Sequence, residues 1–449
     1  MHWKYWNERY SAIIAELKNR NQSNSSHRDT PHHYITISDT SDMPTPSKSS
    51  HLSDRPKSRG NVSDSSFRDV AVISTINHNV GDDFVREGIL YLLSQAIGSF
   101  RTHVIHKHLP VTVRENFERV HTTGIARLLA RLPRVRAEHV SMLLDALPLQ
   151  PERDKILSSD LLVQSGAPVY WSLPGGSGSH QNEWYVPLIQ RRHSRVQDQV
   201  PLLNIGAGTC QPFDSDGSEF HDSPNVKSFI EDFYERCSVT TLRDTLSKRI
   251  LNDLGLDAPV IPDPSIFARD RLGIQPSEPR YVVLNFMRLG GHFKFDQNLV
   301  IEQWEKEFVD YYHMLKGQYP VRIVCHNQDE ARQVERILPG ADYFHQVPEM
   351  AEDYLQFYSS AQFYVGCRVH GAYATASFGR PAFVIGTDTR ARMLKEIGLD
   401  YMFVNDVSAE RLMSVSESLR RQREGYRENF EDIKMSAFEG YMDALSDIL

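Results

Sequence analysis

Cysteine is scarce in this sequence. Cys210, Cys237, Cys325 and Cys367 are spread through 449 residues with no Cys-x-x-Cys pair among them. That spacing excludes a disulfide framework and a cysteine-based zinc site, and it fits a reducing cytoplasm. Long apolar runs are also missing, since none approaches the roughly 20 residues needed to cross a bilayer. The first turns carry charges throughout and do not read as a secretory leader. The Asn-x-Ser triplets at Asn21, Asn24 and Asn61 are then ordinary polar loop sequence. There is no basic excess either: a formal charge of −8 argues against a nucleic-acid partner, which needs a cationic face to displace counterions. No Gly-x-Gly-x-x-Gly follows the first strand-like run, so neither a dinucleotide nor any other cofactor is expected.

What is present is a globular composition, 40% apolar and 24% charged. The length suits two domains plus an extension, because single cores rarely grow beyond about 250–300 residues. Over residues 1–20, Trp3, Trp6, Tyr10, Ile13, Ile14 and Leu17 recur at near-helical spacing and predict a short amphipathic helix. Such a helix offers a peripheral contact with the inner face of a membrane, a contact with a partner, or a docking surface for its own body. Residues 21–68, rich in Ser, Asp, His, Pro and Arg, bury too little apolar area to offset chain entropy and predict a flexible, disordered linker.

From Asp69 onward strands and helices alternate. Asp69–Ile76 reads as a buried strand, Asn77–Asp83 as a polar turn and Glu87–Ile97 as a helix. Further strands are expected at 160–163, 201–205, 238–242, 281–286, 320–325, 361–365 and 381–385. Helices are expected at 299–315, 329–337, 350–359, 371–378 and through 409–449. This pattern predicts an α/β fold of two Rossmann-like domains facing a cleft (GT-B-like), over residues 69–272 and 273–449, joined near the Gly- and Pro-containing Arg271–Arg280.

In open parallel sheets ligands gather beyond the carboxyl ends of strands. The most informative such place is Gly366-Cys367-Arg368-Val369-His370-Gly371, where a strand hands over to a helix. Backbone N–H groups at a helix start favour an anion, Arg368 adds fork-shaped recognition of phosphate or carboxylate, and His370 can move a proton near neutral pH. An isolated Arg-x-His is usually a surface pair, and only its position distinguishes this one. His103, His106 and His108 carry no carboxylate or cysteine at ligand spacing, so an exposed strand explains them and no metal is expected. His292 follows a Gly-Gly that marks a turn.

Taken together, Gly366–Gly371, then Gly379-Arg380-Pro381, Asp388-Thr389-Arg390 and Ile397-Gly398-Leu399 resemble the C-terminal signature of the polysaccharide pyruvyl transferase family. Asn79-Val80-Gly81-Asp82, Gly206-Ala207-Gly208, Thr241-Leu242-Arg243-Asp244 and Pro262-Asp263-Pro264 resemble its earlier motifs, in order. Cys367 and Val369 stand where the family has Ser and Leu, and Gln164–Pro168 stands where it has a run of glycines. The resemblance implies phosphoenolpyruvate as donor and a sugar or glycan diol as acceptor, giving a ketal and inorganic phosphate. It further implies Arg243 and Arg368 as the donor clamp, with domain closure bringing them together, and His370 as the general acid. Arg390 would supplement the charge, and Asn79 and Asp82 would meet sugar hydroxyls. Structural alternatives are open for each: Asp244 as the partner of Arg243, a helix N-cap for Asp82, a solvated loop for Arg390. Two rivals also stand, a GT-B glycosyltransferase holding a nucleotide sugar through Glu352 or Asp353, and an inactive carbohydrate-binding relative.

Overall fold

The computed structural model describes residues 69–76, 79–108, 151–166, 168–171, 184–185, 188–189, 200–220, 223–290 and 297–446. The helix expected over 1–20, the linker over 21–68 and His292 lie outside the described residues.

Two parallel sheets carry the chain. The first holds β1 (Asp69–Ser74), β2 (Arg101–His106), β3 (Leu161–Ser165), β4 (Pro168–Tyr170), β5 (Leu202–Thr209) and β6 (Cys237–Leu242). Its order is β2-β1-β3-β5-β6, with the short β4 pairing the far end of β5. The second holds β7 (Tyr281–Asn285), β8 (Val321–Val324), β9 (Tyr343–Phe344), β10 (Ala361–Gly366), β11 (Ala382–Gly386) and β12 (Asp400–Phe403), in the order β9-β8-β7-β10-β11-β12. Both are doubly wound orders, in which the chain leaves one side of the first strand and returns on the other, opening a crevice between them. In the second sheet that crevice lies between β7 and β10.

Alternation along the strands sorts the core into layers. Val70 and Val72 of β1 face one apolar cluster, while Ala71 and Ile73 face another. In β7, Val283 joins the first cluster, while Val282 and Leu284 join a third. The first cluster belongs to both sheets: Phe84 and Ile205 from one half pack with Tyr358, Ala372 and Val384 from the other.

The first helix, α1 (Val80–Ile97), starts seven residues before the expected Glu87. Asn79 is extended and its side chain accepts from the Gly81 N–H at 3.2 Å, capping a turn whose Val80, Phe84 and Val85 are buried. The polar stretch read as a turn is therefore a helix start, with Asp82 and Asp83 favourably placed in its first turn. Among the described residues, further helices include α2 (Pro224–Arg236), α3 (Thr245–Asp253), α4 (Ala268–Leu272), α5 (Ile301–Lys316), α6 (Gln328–Ile337), α7 (Ala351–Tyr358), α8 (Val369–Ser377) and the long α9 (Ala409–Ser446). At 1.5 Å per residue α9 runs about 57 Å. Its Leu412 and Leu419 pack on the outer cluster of the second sheet, and its Phe430 and Tyr441 enter the shared one. Tyr441 donates to the Pro262 carbonyl at 2.9 Å, tying α9 to the first half. Among the described residues no helix is long and apolar enough to cross a membrane.

Helix α1 lies so close to the turn at Pro264–Phe267 that a Cβ on Gly88 would stand 1.8 Å from the Pro264 carbonyl oxygen. Backbone cannot yield as a side chain does, so Gly88→Ala should cost about 1–3 kcal/mol. Denaturant unfolding will show the lower midpoint; an unchanged midpoint would mean that the helix is not held against that turn.

Candidate functional site

Asn79, Asp82, Arg243, Arg368, His370 and Arg390 all line one cleft of about 570 Å³, counted with its open mouth. Each stands just beyond the carboxyl end of a strand. Asn79 and Asp82 follow β1, Arg243 follows β6, Arg368 and His370 follow β10, and Arg390 follows β11.

The switch point between β7 and β10 is stitched by one amide. The Asn285 side-chain oxygen accepts from the N–H groups of Cys367 and Arg368 at 3.2 and 3.0 Å. Its nitrogen donates to the Val324 carbonyl at 2.9 Å and to Glu330 at 2.8 Å. Arg368 is the extended residue ahead of α8, while His370 already lies in the helix. Their side chains diverge instead of sharing a face. Arg368, 3% exposed, donates from Nε to Glu330 at 2.7 Å, pairs with the same carboxylate through Nη2, and reaches Asn79 Oδ1 at 3.4 Å. His370 turns to the other half, its Nε2 3.5 Å from Asp263 Oδ2.

Asp263 is fully buried, and its Oδ2 also accepts from Arg243 Nη1 at 2.7 Å. The alternative partner Asp244 is occupied elsewhere, capping α3 through the Ser247 N–H at 2.7 Å. Burial by itself would raise the Asp263 carboxyl; the close polar contact and charge of His370 and the charge of Arg243 outweigh it and hold the group well below its ordinary 3.8. Arg390 is not a solvated loop residue, because Asp388 grips it twice, from Nε at 2.8 Å and from Nη2 at 2.6 Å. Asp82 is the third residue of α1, not its cap, and sits 3.4 Å from the Asn79 amide nitrogen.

Several residues quoted as departures or rivals find their places. Cys367 is 5% exposed and burial pushes its thiol up to about 12, so it is not a thiolate nucleophile. Gln164 and Ser165 are buried within β3, and Pro168 begins β4 and lines the cleft. Glu352 and Asp353 lie in the first turn of α7 and do not line the cleft; Asp353 accepts from Gln346 at 2.7 Å. His103 bonds Asp69 at 3.0 Å and His106 accepts from the Ile76 N–H at 3.2 Å, both on the edge strand β2.

Arg243 and Arg368, expected to meet on domain closure, line the same cleft in this structure, and the halves touch at its rim. Thr389 donates its N–H to the Gln211 carbonyl and accepts the Gln211 N–H, both at 3.0 Å. Phe213 donates to Gln297 at 2.7 Å and Arg392 to the Ser215 carbonyl at 2.7 Å. With a core in common as well, the two halves lack the small polar interface that would favour hinge motion.

Sequence reasoning missed Glu330 and gave Asp263 no role. Asn327-x-x-Glu330 does carry a helix-start spacing, and Asn327 caps α6 by accepting from the Glu330 N–H at 3.0 Å. That Glu330 also receives Arg368 is a tertiary fact. Removing one partner of a buried pair strands the other, so Glu330→Gln should cost about 3–5 kcal/mol in denaturant unfolding. Arg420→Ala, which breaks an exposed pair with Glu417, should cost less than about 1 kcal/mol. Asp263 stabilises the fold as a carboxylate. Its contribution is complete above 3.8 and is lost as pH falls toward the depressed folded value. Asp263→Asn should therefore be clearly less stable than the parent at pH 7, with the gap narrowing in acid; a constant gap contradicts the assignment.

Among solved structures, the chain is similar to the UDP-GlcNAc 2-epimerase of Neisseria meningitidis bound to UDP-GlcNAc, with 11% identity and a TM-score of 0.46 over 81% of this chain and 94% of that one. It is similar to the Rickettsia bellii UDP-N-acetylglucosamine 2-epimerase, with 11% identity and a TM-score of 0.45 over 85% and 99%. The E. coli heptosyltransferase WaaC with ADP-2-deoxy-2-fluoro heptose gives 10% identity and 0.37 over 78% and 99%. No curated protein matches the sequence. The family model for polysaccharide pyruvyl transferase matches residues 79–389, from the cap of α1 to the turn that follows β11. A match across most of the chain, taking in five of the six cleft residues, places this protein in the polysaccharide pyruvyl transferase family.

Proposed function

We propose that the protein transfers the pyruvyl group of phosphoenolpyruvate to two hydroxyls of a sugar in a glycan, forming a cyclic ketal and releasing phosphate. The observation that carries this reading is the convergence of Arg243, Arg368 and Arg390 around His370 in one cleft. The donor presents a carboxylate and a phosphate on adjacent atoms, and several guanidiniums in a partly dry site suit that charge.

In the reaction, His370 gives a proton to the methylene carbon of the donor. The π electrons of the double bond form the new C–H bond and leave C2 electron-poor. One sugar hydroxyl adds at C2 and loses its proton, the C2–O bond to phosphate breaks with its electrons, and the second hydroxyl closes the ring with loss of a second proton. Arg243 and Arg368 hold the anionic groups, Arg390 adds charge at the cleft wall, and Asn79 and Asp82 meet the acceptor. The carboxylate partners fix each guanidinium's direction before the donor arrives, which favours a transition state over a mobile ground state. Family membership supports the transferase class, and the absence of Glu352 and Asp353 from the cleft lining removes the feature that favoured a nucleotide-sugar enzyme.

Phosphate release from phosphoenolpyruvate, measured with galactose-, mannose- and N-acetylhexosamine-containing acceptors, tests the reading. Release that depends on one acceptor is expected, and thermal stabilisation by the donor should accompany it. No release with any acceptor, and stabilisation by glycan alone, would point to a binding protein. His370→Ala should lower turnover by about 10²–10⁴ in protein that remains folded, with a lower melting temperature because the buried Asp263 loses a partner. An unaltered rate removes His370 from the chemistry.

A further inference from the structure

The polar atoms around His370 are unevenly placed. Nε2 is buried, without a hydrogen bond of good geometry among the described residues, and it faces Asp263 Oδ2 at 3.5 Å. Asp263 cannot turn away. Its Oδ1 accepts from the Ser265 N–H at 2.9 Å and its Oδ2 from Arg243 at 2.7 Å, within a turn whose next residue is Pro264. The opposite ring nitrogen, Nδ1, points at the first turn of α1, where a Cβ on Gly81 would stand 2.7 Å from it. The same Cβ would stand 2.9 Å from the His370 Cβ, so the side chain lies close against the backbone of that turn and only glycine leaves room for it there.

We infer that Asp263 is a positioning residue that keeps a proton on His370 Nε2, so that Nδ1 is the nitrogen exchanging protons with substrate, and that Gly81 leaves room for the ring to lie in that orientation. This rests on the reading of His370 as the general acid. Before the reaction the imidazolium carries a proton on each nitrogen, its charge opposed by the Asp263 carboxylate. The Nδ1 proton passes to the methylene carbon, whose π electrons form the C–H bond. The ring becomes neutral with its remaining proton on Nε2 toward Asp263. The proton lost by the attacking hydroxyl returns to Nδ1, which closes the cycle. Arg243 shares the same carboxylate oxygen and so limits how far Asp263 can stabilise the imidazolium. Among the described residues, the other charged or titratable groups around the ring are Asp82, Arg368, Asp388, Arg390, Tyr373 and the buried His326.

The test has a part that needs no substrate. Nitrogen-15 NMR of the unmutated protein with labelled histidine should show neutral His370 as the Nε2–H tautomer, and Asp263→Asn should lose that preference. An Nδ1–H tautomer in the parent overturns the inference even if the protein proves to use another donor. With activity in hand, the basic limb of the pH–rate profile reports the imidazolium. Asp263→Asn should move that limb to lower pH and reduce turnover by about 10²–10⁴, as expected when general acid catalysis is impaired. A variant that is merely less stable, with the limb unmoved, counts against the inference. Gly81→Ala should lower turnover by pushing the ring out of this orientation; full activity in Gly81→Ala removes the second half of the inference. Failure of phosphate release in the parent, with the tautomer as expected, would sink the donor assignment and leave the Asp263–His370 pair standing.

Discussion

A carboxylate taken wholly out of water costs several kcal/mol unless positive groups meet it, and Asp263 is such a carboxylate. Its need for partners draws Arg243 from the end of β6 and His370 from the start of α8 onto one oxygen. Two sheets that share no backbone ladder are thereby forced into a single arrangement at the cleft. The same oxygen fixes the direction of a guanidinium and of an imidazole at the cleft, and so adds to the shared core and the Gln211–Thr389 contact that also join the halves.

The other cleft arginines repeat the principle at lower symmetry. Glu330 holds Arg368 from within its own half, and Asp388 holds Arg390 two residues away. Behind Arg368, the Asn285 amide satisfies its oxygen and its nitrogen at the switch point between β7 and β10. Each cation is thus oriented by an anion that the backbone fixes, and little rotamer freedom remains to be lost when an anionic ligand enters. The halves also meet away from the cations, since Phe84, Tyr358 and Ala372 sit in one core and the Gln211–Thr389 contact ties the rim.

Much of this was legible in the chain. The strands at 281–285, 361–366 and 382–386 are short β-branched or aromatic runs ended by turn residues, and such runs have few other ways to bury themselves. Six of the residues lining the cleft were named from the chain, Arg368 and His370 by their place at a strand-to-helix junction and Asn79, Asp82, Arg243 and Arg390 by the family resemblance. The start of α1 was misplaced because a polar Asn-Val-Gly-Asp stretch reads equally as a turn, and only burial of Val80 and Phe84 against the second half decides for helix. Short strands such as β4, β9 and β12 went unseen, because two to four residues give too little periodicity to detect.

The amino-acid order by itself determined the alternation of strand and helix, the family, and which side chains stand at the strand ends, because these depend on local periodicity and short motifs. The tertiary structure alone decided the partners: Asp263 rather than Asp244 for Arg243, Glu330 for Arg368, and the turning of His370 away from its neighbour. Charge pairing between residues separated by 20 to 107 positions depends on distances of a few ångströms. No local pattern encodes such distances until the two sheets have packed.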